Sequence, residues 1–570
     1  MKSNFFSVLA TVAITSSVAL VSCDDGSDGG KNVISGKSTW QTDQEALASA
    51  NAIYPPLQRL SSSYSFLLES ATENTISFEG ADDADGPLVS LFETDVNNWY
   101  PTKIFNYLYV SIGEANRTIE KSDSSYASAN LSQQAIDLAK ARAKFVRGLN
   151  YLYLTNLWGE VPLILTTNAS AAERTGRKTI DEVYNQIVKD LTDAEAALPA
   201  FDQIRSNPSK GAANAILSRT YLQWASKPLS QTEVAAIATS KSDPAAPVWD
   251  RDKLNKAVEY ANKVIESGNY QLETDYGNLW GVRAENRSVE HIFTIHHDGD
   301  NNGDAQGNHQ THCPFTFRFE LYTDNHIGPA DVTILNRFSN SDKRKDYSII
   351  TYLYNGDERV TTGSATKAED YKRYDYVYPV TSPRNAKFIH RNADLYNVAP
   401  GTSAGQPNNI NRIEIRLAEV LLIKAEALFY LDKKSEAVQV INQLRQRAGL
   451  NTYSSLTQEQ LENEWYLELY FEQRHWVNLT RWRKLVKTVL DVTPTFEYYK
   501  GDYKTVASQV ASFGPENDGT DGVKTNYPFF AKIYKHLHAK TDNVTGKLYR
   551  FPIPKGLNEN DLGIGQNPGY

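Results

Sequence analysis

The sequence predicts a mainly α-helical protein, a tetratricopeptide-type scaffold of helical hairpins with irregular, loop-rich inserts and a few short strands. Apolar side chains recur with the helical period of 3.6 residues over long parts of the 570-residue chain. The periodic stretches come in pairs with short polar breaks, which is typical of antiparallel hairpins that stack into a curved scaffold. We therefore expect scaffold segments at about 101–267 and 411–490.

The first scaffold segment contains long helices with recognisable ends. Thr179 is expected to begin one of them, because Glu182 stands three residues later and completes a capping box, and Pro199 ends it. The helices predicted for this segment lie over 104–119, 133–157, 180–198, 211–226 and 254–265.

The second scaffold segment has the most regular period. The run RIEIRLAEVLLIKAEALFYL predicts one helix over 412–431. The next helix ends at Gly449, where a left-handed cap suits glycine. Thr457 opens a third helix with another capping box, and a fourth continues from Trp476 to Val486 with its apolar side chains turned inward.

Two inserts, at about 59–100 and 291–410, lack the helical period. The run HIFTIHH alternates like a strand, and the rest of the second insert is rich in turn-forming residues. Loops on a rigid scaffold commonly carry binding residues. The two inserts are therefore the predicted ligand-binding parts of the chain.

The first 22 residues have the pattern of a lipoprotein signal peptide. Lys2 precedes an apolar run that is too short for a transmembrane anchor, and the run ends in Leu-Val-Ser before Cys23. Cys23 is the predicted lipidation site, and an ordinary secretory signal with a chance cysteine is the alternative. Residues 23–39 are expected to be a flexible tether rich in Gly, Ser and Asp, and 40–570 the folded domain.

The composition excludes some classes of partner. Lysines and arginines number 59 against 68 acidic residues, a formal net charge of −9 that argues against nucleic acid. Apart from Cys23 the one cysteine is Cys313, so no intramolecular disulfide is expected after lipidation. No P-loop, nucleophile elbow or dinucleotide fingerprint is present, and no catalytic residue is assigned.

One polar stretch of the second insert resembles the start of a calcium loop. It matches positions one, three, five and six of an EF-hand, where oxygen ligands converge and glycine permits a sharp turn. His309 stands at position twelve in place of the bidentate glutamate, so a solvated, turn-rich loop is the simpler explanation and calcium the alternative. The candidate calcium ligands are Asp298, Asp300, Asn302 and Asp304.

Sugar binding requires aromatic rings against the apolar face of a pyranose and polar side chains at its hydroxyl rim. Both inserts offer this combination. Ordinary packing of the same aromatic residues is the alternative. The candidate glycan-binding residues are Glu73, Asn74, Phe78, Trp99, Tyr322, Asn325 and His326.

Several blocks of the sequence point to a particular protein family, which their helical period alone does not do. They are AKARAKFVRGLNYLYLTNLWGEVPLI, IRLAEVLLIKAEALF, INQLRQRAGL, LTQEQLENEWYLELYFEQRHWVNLTRW, FPIPK and QNPGY. In their residues and in their order along the chain they resemble the SusD/RagB family of nutrient-binding outer-membrane lipoproteins. His475 stands where that family has an arginine, so we expect the ion pairs of the last hairpin to differ.

The resemblance implies a SusD-like fold and a lipid-anchored protein of the outer membrane that faces the cell exterior. Its ligand would be an oligosaccharide or polysaccharide, its partner a SusC-like TonB-dependent transporter, and it would have no catalytic activity. Three alternatives remain at this point: a non-glycan nutrient such as a peptide bound by the same scaffold, a surface hydrolase, and a protein-binding scaffold or adhesin.

Overall fold

The fold is a row of α-helices in which each helix packs against the next, with short two-stranded sheets beside the row. A computed structural model describes residues 39–76, 84–280, 288–296, 328–329, 337–339, 341–350, 353–354, 373–374, 384–385, 387, 411–492, 536, 538–555 and 563–570. Up to residue 266 the helices are α1 (Asp43–Asn51), α2 (Pro55–Ser70), α3 (Asp85–Ser90), α4 (Trp99–Ser124), α5 (Gln133–Trp158), α6 (Ala171–Thr175), α7 (Ile180–Ala197), α8 (Lys210–Ala225), α9 (Gln231–Ile237) and α10 (Arg251–Glu266). Later in the chain follow α11 (Lys345–Ser348), α12 (Leu417–Tyr430), α13 (Lys434–Arg447), α14 (Gln458–Glu468), α15 (His475–Trp482) and α16 (Leu485–Val492).

The helices pack in chain order. Helix α2 packs on α4, α4 on α5, α5 on α7, α7 on α8 and α8 on α10. Helix α10 then packs on α12, which forms a hairpin with α13. The mainly α-helical scaffold predicted from the period is confirmed. No helix within the described ranges combines the length and the apolar character needed to cross a bilayer.

The strands are short and form two-stranded antiparallel sheets. The longest pair joins His291–Ile295 to Arg412–Arg416, and all ten of its residues are buried. The strands are β1 (Thr75–Ile76), β2 (Val161–Pro162), β3 (Arg177–Lys178), β4 (His291–Ile295), β5 (Gly328–Pro329), β6 (Ile349–Ile350), β7 (Leu353–Tyr354), β8 (Arg373–Tyr374), β9 (Arg384–Asn385) and β10 (Arg412–Arg416).

The helix ends predicted from capping residues are confirmed. Thr179 and Thr457 each accept a hydrogen bond from the backbone N–H three residues on, and the residue there bonds back to complete the box. Gly449, after α13, has a φ of +76°. This left-handed conformation carries no steric penalty for glycine, which explains why α13 ends there.

The C-terminal segment closes the core against two tryptophans. Trp158 and Trp476 are both fully buried. The indole Nε1 of Trp158 donates to the carbonyl of Pro552 at 2.8 Å, and the ring of Trp476 lies 5.1 Å from that of Phe551. The FPIPK block is thus part of the hydrophobic core and joins helices that are distant in sequence.

Gly159 is the point where α5 leaves the scaffold. Its φ is +76°, and a Cβ there would lie 2.5 Å from Nε of Arg550. Both the backbone conformation and the close approach of the arginine therefore require glycine at this position.

The predicted helix over 412–431 is wrong in its first turn. Residues Arg412–Arg416 form strand β10, and the helix starts only at Leu417. The run RIEIR alternates charged and β-branched side chains, a period of two that fits a strand. Pairing with β4 therefore prevails over the helical preference of the residues that follow.

Two further predictions differ from the structure. The last predicted helix is broken at Arg483, whose φ of +58° separates α15 from α16. The stretch expected to be irregular over 59–98 contains α2, which continues to Ser70, and the short helix α3. Helix α2 was missed because its described residues from Leu60 to Ser70 are buried, serines included, so its sequence lacks the one-sided apolar stripe that predicts a helix.

Candidate functional site

Trp99 reaches the surface, whereas the other described candidates for sugar binding do not. The side chain of Trp99 is 48% exposed, against 2% for Glu73 and none for Asn74. An exposed indole is the type of side chain that stacks against the apolar face of a sugar.

The position of Trp99 is fixed by its neighbours on three elements. It is the first residue of α4, and its N–H donates to a carboxylate oxygen of Asp85 in α3 at 2.6 Å. The side chain of Asn98 caps the helix by accepting from the N–H of Tyr100 at 3.1 Å. The ring of Tyr100 meets that of Trp99 edge-to-face at 5.1 Å and stacks on Phe66 of α2 at 4.2 Å. The indole is therefore held in place by a fixed aromatic base, the rings of Tyr100 and Phe66.

Lys103 lies one helical turn after Trp99 and is almost completely buried. Its ammonium group is 4.3 Å from the centroid of the Trp99 ring and 6.0 Å from that of Tyr107. Burial and the positive charge of Arg59 on α2 lower the pKa of Lys103 to about 8. At neutral pH the lysine remains mostly protonated, so a positive charge lies between two aromatic rings at this surface.

The loop that precedes Trp99 is tied down by the C-terminal segment. The side-chain amide of Asn543 donates to the carbonyl of Leu91 at 2.9 Å, and the N–H of Lys555 donates to the carbonyl of Val96 at the same distance. Asn97, next in this loop, is exposed and stands two residues before Trp99 in the chain. The loop thus carries an exposed polar residue of the type that binds sugar hydroxyls.

Lys540 fixes the beginning of the same insert. Its ammonium group donates to the backbone carbonyls of Ser70, Thr72 and Thr75 at 3.3, 2.6 and 2.6 Å. Ser70 is the last residue of α2, where a cation is favoured by the helix dipole, Thr72 follows it, and Thr75 is in β1. Burial lowers the pKa of Lys540 to about 7.

The two inserts meet at a short ladder. Strand β1 pairs with β5, so that Thr75 lies opposite Pro329 and Ile76 opposite Gly328. In the sequence these pairs flank the candidates of both inserts. Phe78, Tyr322, Asn325, His326, Asp298, Asp300, Asn302 and Asp304 themselves lie outside the residues that the structure describes, as does Cys23.

Glu73 and Asn74 are bound within the protein. A carboxylate oxygen of Glu73 lies 2.6 Å from Nε2 of His475. Burial alone would raise the pKa of Glu73, but His475 and Arg337 outweigh it and lower the pKa to about 2. The hydroxyl of Tyr466 donates to the side-chain oxygen of Asn74 at 2.8 Å. In this structure both side chains link the first insert to α14 and α15 and are inaccessible to a ligand.

A buried network of arginines and carboxylates lies in the core. Arg416 contacts three carboxylates at 2.6–2.8 Å, and Arg344 contacts three at 2.8–3.2 Å, with Glu468 shared between them. Arg219 and Arg474 both bind the pair Glu414 and Glu419. The acidic members of the network around Arg416 and Arg344 are Glu290, Asp342, Glu464, Glu468 and Glu472.

This network was not predicted, although part of its signal is visible in the sequence. Arg412, Glu414 and Arg416 alternate along β10 and so share one face of the strand. Burial raises the pKa of Glu414, but Arg474, Arg219 and Arg412 lower it to about 2. The carboxylates of the network are paired with arginines inside the core, so their role is to hold the inserts on the scaffold.

No group of three or more histidine, cysteine, aspartate or glutamate side chains suited to a metal ion occurs among the residues that the structure describes. The candidate calcium loop at 298–304 lies outside that part of the chain. The described site therefore consists of the exposed indole, the buried lysine and the polar loop beside them.

Two models of known protein families together match most of the chain. The SusD family model matches residues 262–570, and a second family model, described as starch-binding associating with outer membrane, matches residues 58–222. SusD-like protein P2 of Formosa agariphila is 26% identical over 492 residues, which cover 81% of this chain and 88% of that protein. Starch-binding protein SusD of Bacteroides thetaiotaomicron is 26% identical over 385 residues, which cover 60% and 64% of the two chains.

Solved structures share the fold at lower identity. A SusD homolog from Bacteroides thetaiotaomicron has a TM-score of 0.66 at 21% identity, over 95% of this chain and 99% of that one. A laminarin-binding SusD-like protein has a TM-score of 0.61 at 20% identity, over 93% and 100%. Surface glycan-binding protein A from Bacteroides thetaiotaomicron, in complex with laminarihexaose, has a TM-score of 0.64 at 16% identity, over 93% and 100%.

Proposed function

The chain belongs to the SusD family, and we propose that it is a surface lipoprotein that binds oligosaccharides or polysaccharides and passes them to a SusC-like TonB-dependent transporter of the outer membrane. The observation that carries the proposal is the half-exposed indole of Trp99 on its fixed aromatic base. A rigid ring binds at a low cost in conformational entropy, which suits weak contacts repeated along a polymer.

The placement of the inserts supports a ligand that spans both of them. The β1–β5 ladder joins the first insert to residues 328–329 of the second. Tyr322, Asn325 and His326 precede that ladder by a few residues, and Phe78 follows it on the other side. We infer that these residues complete the glycan site around Trp99.

The position of the tether supports a site that faces away from the membrane. The N–H of Trp40, at the start of the folded domain, donates to Oγ of Ser125 at the C-terminal end of α4. Trp99 is at the other end of this helix of 26 residues, which is about 39 Å long. Lipidation of Cys23 would therefore anchor the protein at the end opposite to the indole.

We infer that the protein binds its ligand without chemical conversion. Relatives that match the chain carry binding names, such as starch-binding protein SusD and laminarin-binding SusD-like protein. The closely spaced carboxylates of the network in the described core are paired with arginine and buried. Glycoside hydrolysis would need two carboxyl groups facing a sugar across a cleft.

The test is titration calorimetry of the mature protein with oligosaccharides chosen from a glycan array. Replacement Trp99→Ala removes the stacking surface and should weaken binding by about 1–3 kcal/mol, by analogy with stacking of bases on aromatic rings. That corresponds to roughly a ten- to hundredfold loss of affinity.

The matched control is Tyr126→Ala, which removes an aromatic ring that is 81% exposed just beyond the other end of α4. It should bind as tightly as the wild type. Equal affinities for Trp99→Ala and wild type would place the glycan site elsewhere. Shortened sugars after incubation would instead indicate a hydrolase, and binding of peptides without sugars would indicate the non-glycan alternative.

A further inference from the structure

Lys103 is a buried cation whose contacts with described residues are aromatic. The side chain is 8% exposed, and its ammonium group faces the rings of Trp99 and Tyr107. Within the described part of the chain, no hydrogen-bond acceptor or carboxylate is paired with it. The charge that acts on its pKa is that of Arg59 on α2, which has the same sign.

Comparable lysines of this protein have acceptors. Lys387 binds Glu472 at 2.6 Å, and Lys540 donates to three backbone carbonyls. Lys253 lies over the ring of Trp224 at 4.4 Å, much as Lys103 lies over Trp99, yet it also binds Asp250 at 2.6 Å. A desolvated ammonium without such a partner is unfavourable, and an anionic ligand group would compensate for it.

The neighbouring acidic group is already engaged. The carboxylate of Asp85 accepts a hydrogen bond from the backbone N–H of Trp99. This N–H lies at the N-terminal, positive end of the α4 dipole. The side chains of Trp99, Lys103 and Tyr107 follow one another at intervals of four residues and so lie along one face of α4. A sugar stacked on the indole would thus place its neighbour in the polymer near the lysine.

Resting on the proposed function, we propose that this site selects an acidic glycan, with a carboxylate of a uronic acid or a sulfate ester of the polymer bound by Lys103 while an adjacent sugar stacks on Trp99. The anionic group receives a charge-assisted hydrogen bond from the ammonium group. No covalent step is involved.

The test compares matched acidic and neutral sugars by titration calorimetry. Oligogalacturonate is paired with its fully methyl-esterified form, and a sulfated galactan oligosaccharide with its desulfated form. The wild type should bind the acidic member of at least one pair about tenfold or more tightly, with affinity that falls as salt is added. The pair that shows the preference tells whether carboxylate or sulfate is the recognised group.

Replacement Lys103→Met keeps the apolar stem and removes the charge. It should abolish the preference for the acidic sugar over its neutral counterpart, and Lys103→Arg should restore most of that preference. The control is Lys263→Met, which removes a charge that lies at the same 4.3 Å from a ring, that of Tyr260, on α10. It should retain the preference, and thermal melts establish that each variant is folded.

Two different results would contradict the acidic-glycan proposal and the proposed function, respectively. If the wild type binds neutral and acidic members of both pairs equally, the acidic-glycan proposal is overturned while the glycan function stands. This comparison needs no variant and holds even if Lys103→Met does not fold. If no oligosaccharide binds at all, the proposed function itself fails.

Discussion

Glu73 shows how one buried carboxylate joins the first insert to the last helices of the scaffold. It bonds to His475, which stands where the family has an arginine, and lies 3.9 Å from Arg337. The neutral ring of a histidine and its protonated form both fit a hydrogen bond to the carboxylate, whereas only the protonated form makes an ion pair. The strength of the contact between Glu73 and His475 thus depends on whether the carboxylate of Glu73 is charged.

Acid should therefore unfold the protein more readily than neutral solution. The pKa values of Glu73 and Glu414 are about 2 in the folded state, below the ordinary value of 4.5. Groups with lowered pKa stabilise the folded state above pH 4.5 and lose that contribution as pH falls toward 2, on the order of 2–3 kcal/mol for each carboxylate. Burial raises the pKa of Glu69, so protonation of this carboxyl group in acid favours the folded state. This effect is opposite to that of Glu73 and Glu414.

Urea denaturation at several pH values between 6 and 3 measures this effect. We expect the midpoint to fall steadily below about pH 4.5. The variant Glu73→Gln should be less stable at pH 6, because His475 and Arg337 lose their anionic partner, and its midpoint should depend less on pH. A midpoint that stays constant from pH 5 to pH 3 contradicts the assignment of ionised, paired glutamates.

At the scale of elements, the ends of helices decide where the inserts attach. Strand β10 places Glu414 against Arg219 of α8 and against Arg474, which precedes α15, and it places Arg416 against Glu468 of α14. The break at Arg483 then directs α16 toward the C-terminal segment, which it contacts near residues 546–549. The C-terminal segment in turn bonds to the loop before Trp99 through Asn543 and Lys555.

Trp476 tests this closing contact. Its side chain is fully buried at the start of α15 and packs against Phe551. Trp476→Ala should destabilise the protein by about 3–5 kcal/mol, because the removed indole leaves a cavity in the core. Thermal and urea denaturation measure the loss, with Trp99→Ala as the exposed counterpart that should melt near the wild-type temperature. Similar melting of the two variants would mean that the C-terminal segment contributes little to the core.

At the scale of the whole molecule, Trp40 at the start of the described domain and Trp99 lie at opposite ends of α4. Cys23 is separated from Trp40 by a tether rich in Gly, Ser and Asp, so the domain is expected to stand off the membrane with Trp99 directed outward. A lipid anchor would also keep the protein close to a transporter and raise its effective concentration there.

Cys23→Ala should remove that anchor. Without the cysteine no acyl chain is attached, so the protein should leave the outer-membrane fraction and fail to incorporate a palmitate analogue. Metabolic labelling and membrane fractionation measure both results, with Cys313→Ser as the control that retains label. Equal labelling of Cys23→Ala and wild type would show that another residue carries the lipid, or that the leader is an ordinary secretory signal.

The sequence by itself determined the scaffold, because helical period and capping residues are local properties. Thr179, Thr457 and Gly449 end or begin helices where the pattern predicts. Trp99 also reaches the surface, as a sugar-stacking residue must, although packing is the more frequent role for an aromatic residue.

Only the tertiary structure decided which polar residues are accessible. Glu73 and Asn74 have the residue types of a sugar site, yet their partners, His475 and Tyr466, come from about 400 positions away and bury them. Lys103 was not a candidate at all, since nothing in its local sequence shows that it lies between two rings with no carboxylate partner among the described residues. Burial and charge pairing depend on residues that are distant in the chain, and a local pattern contains no information about them.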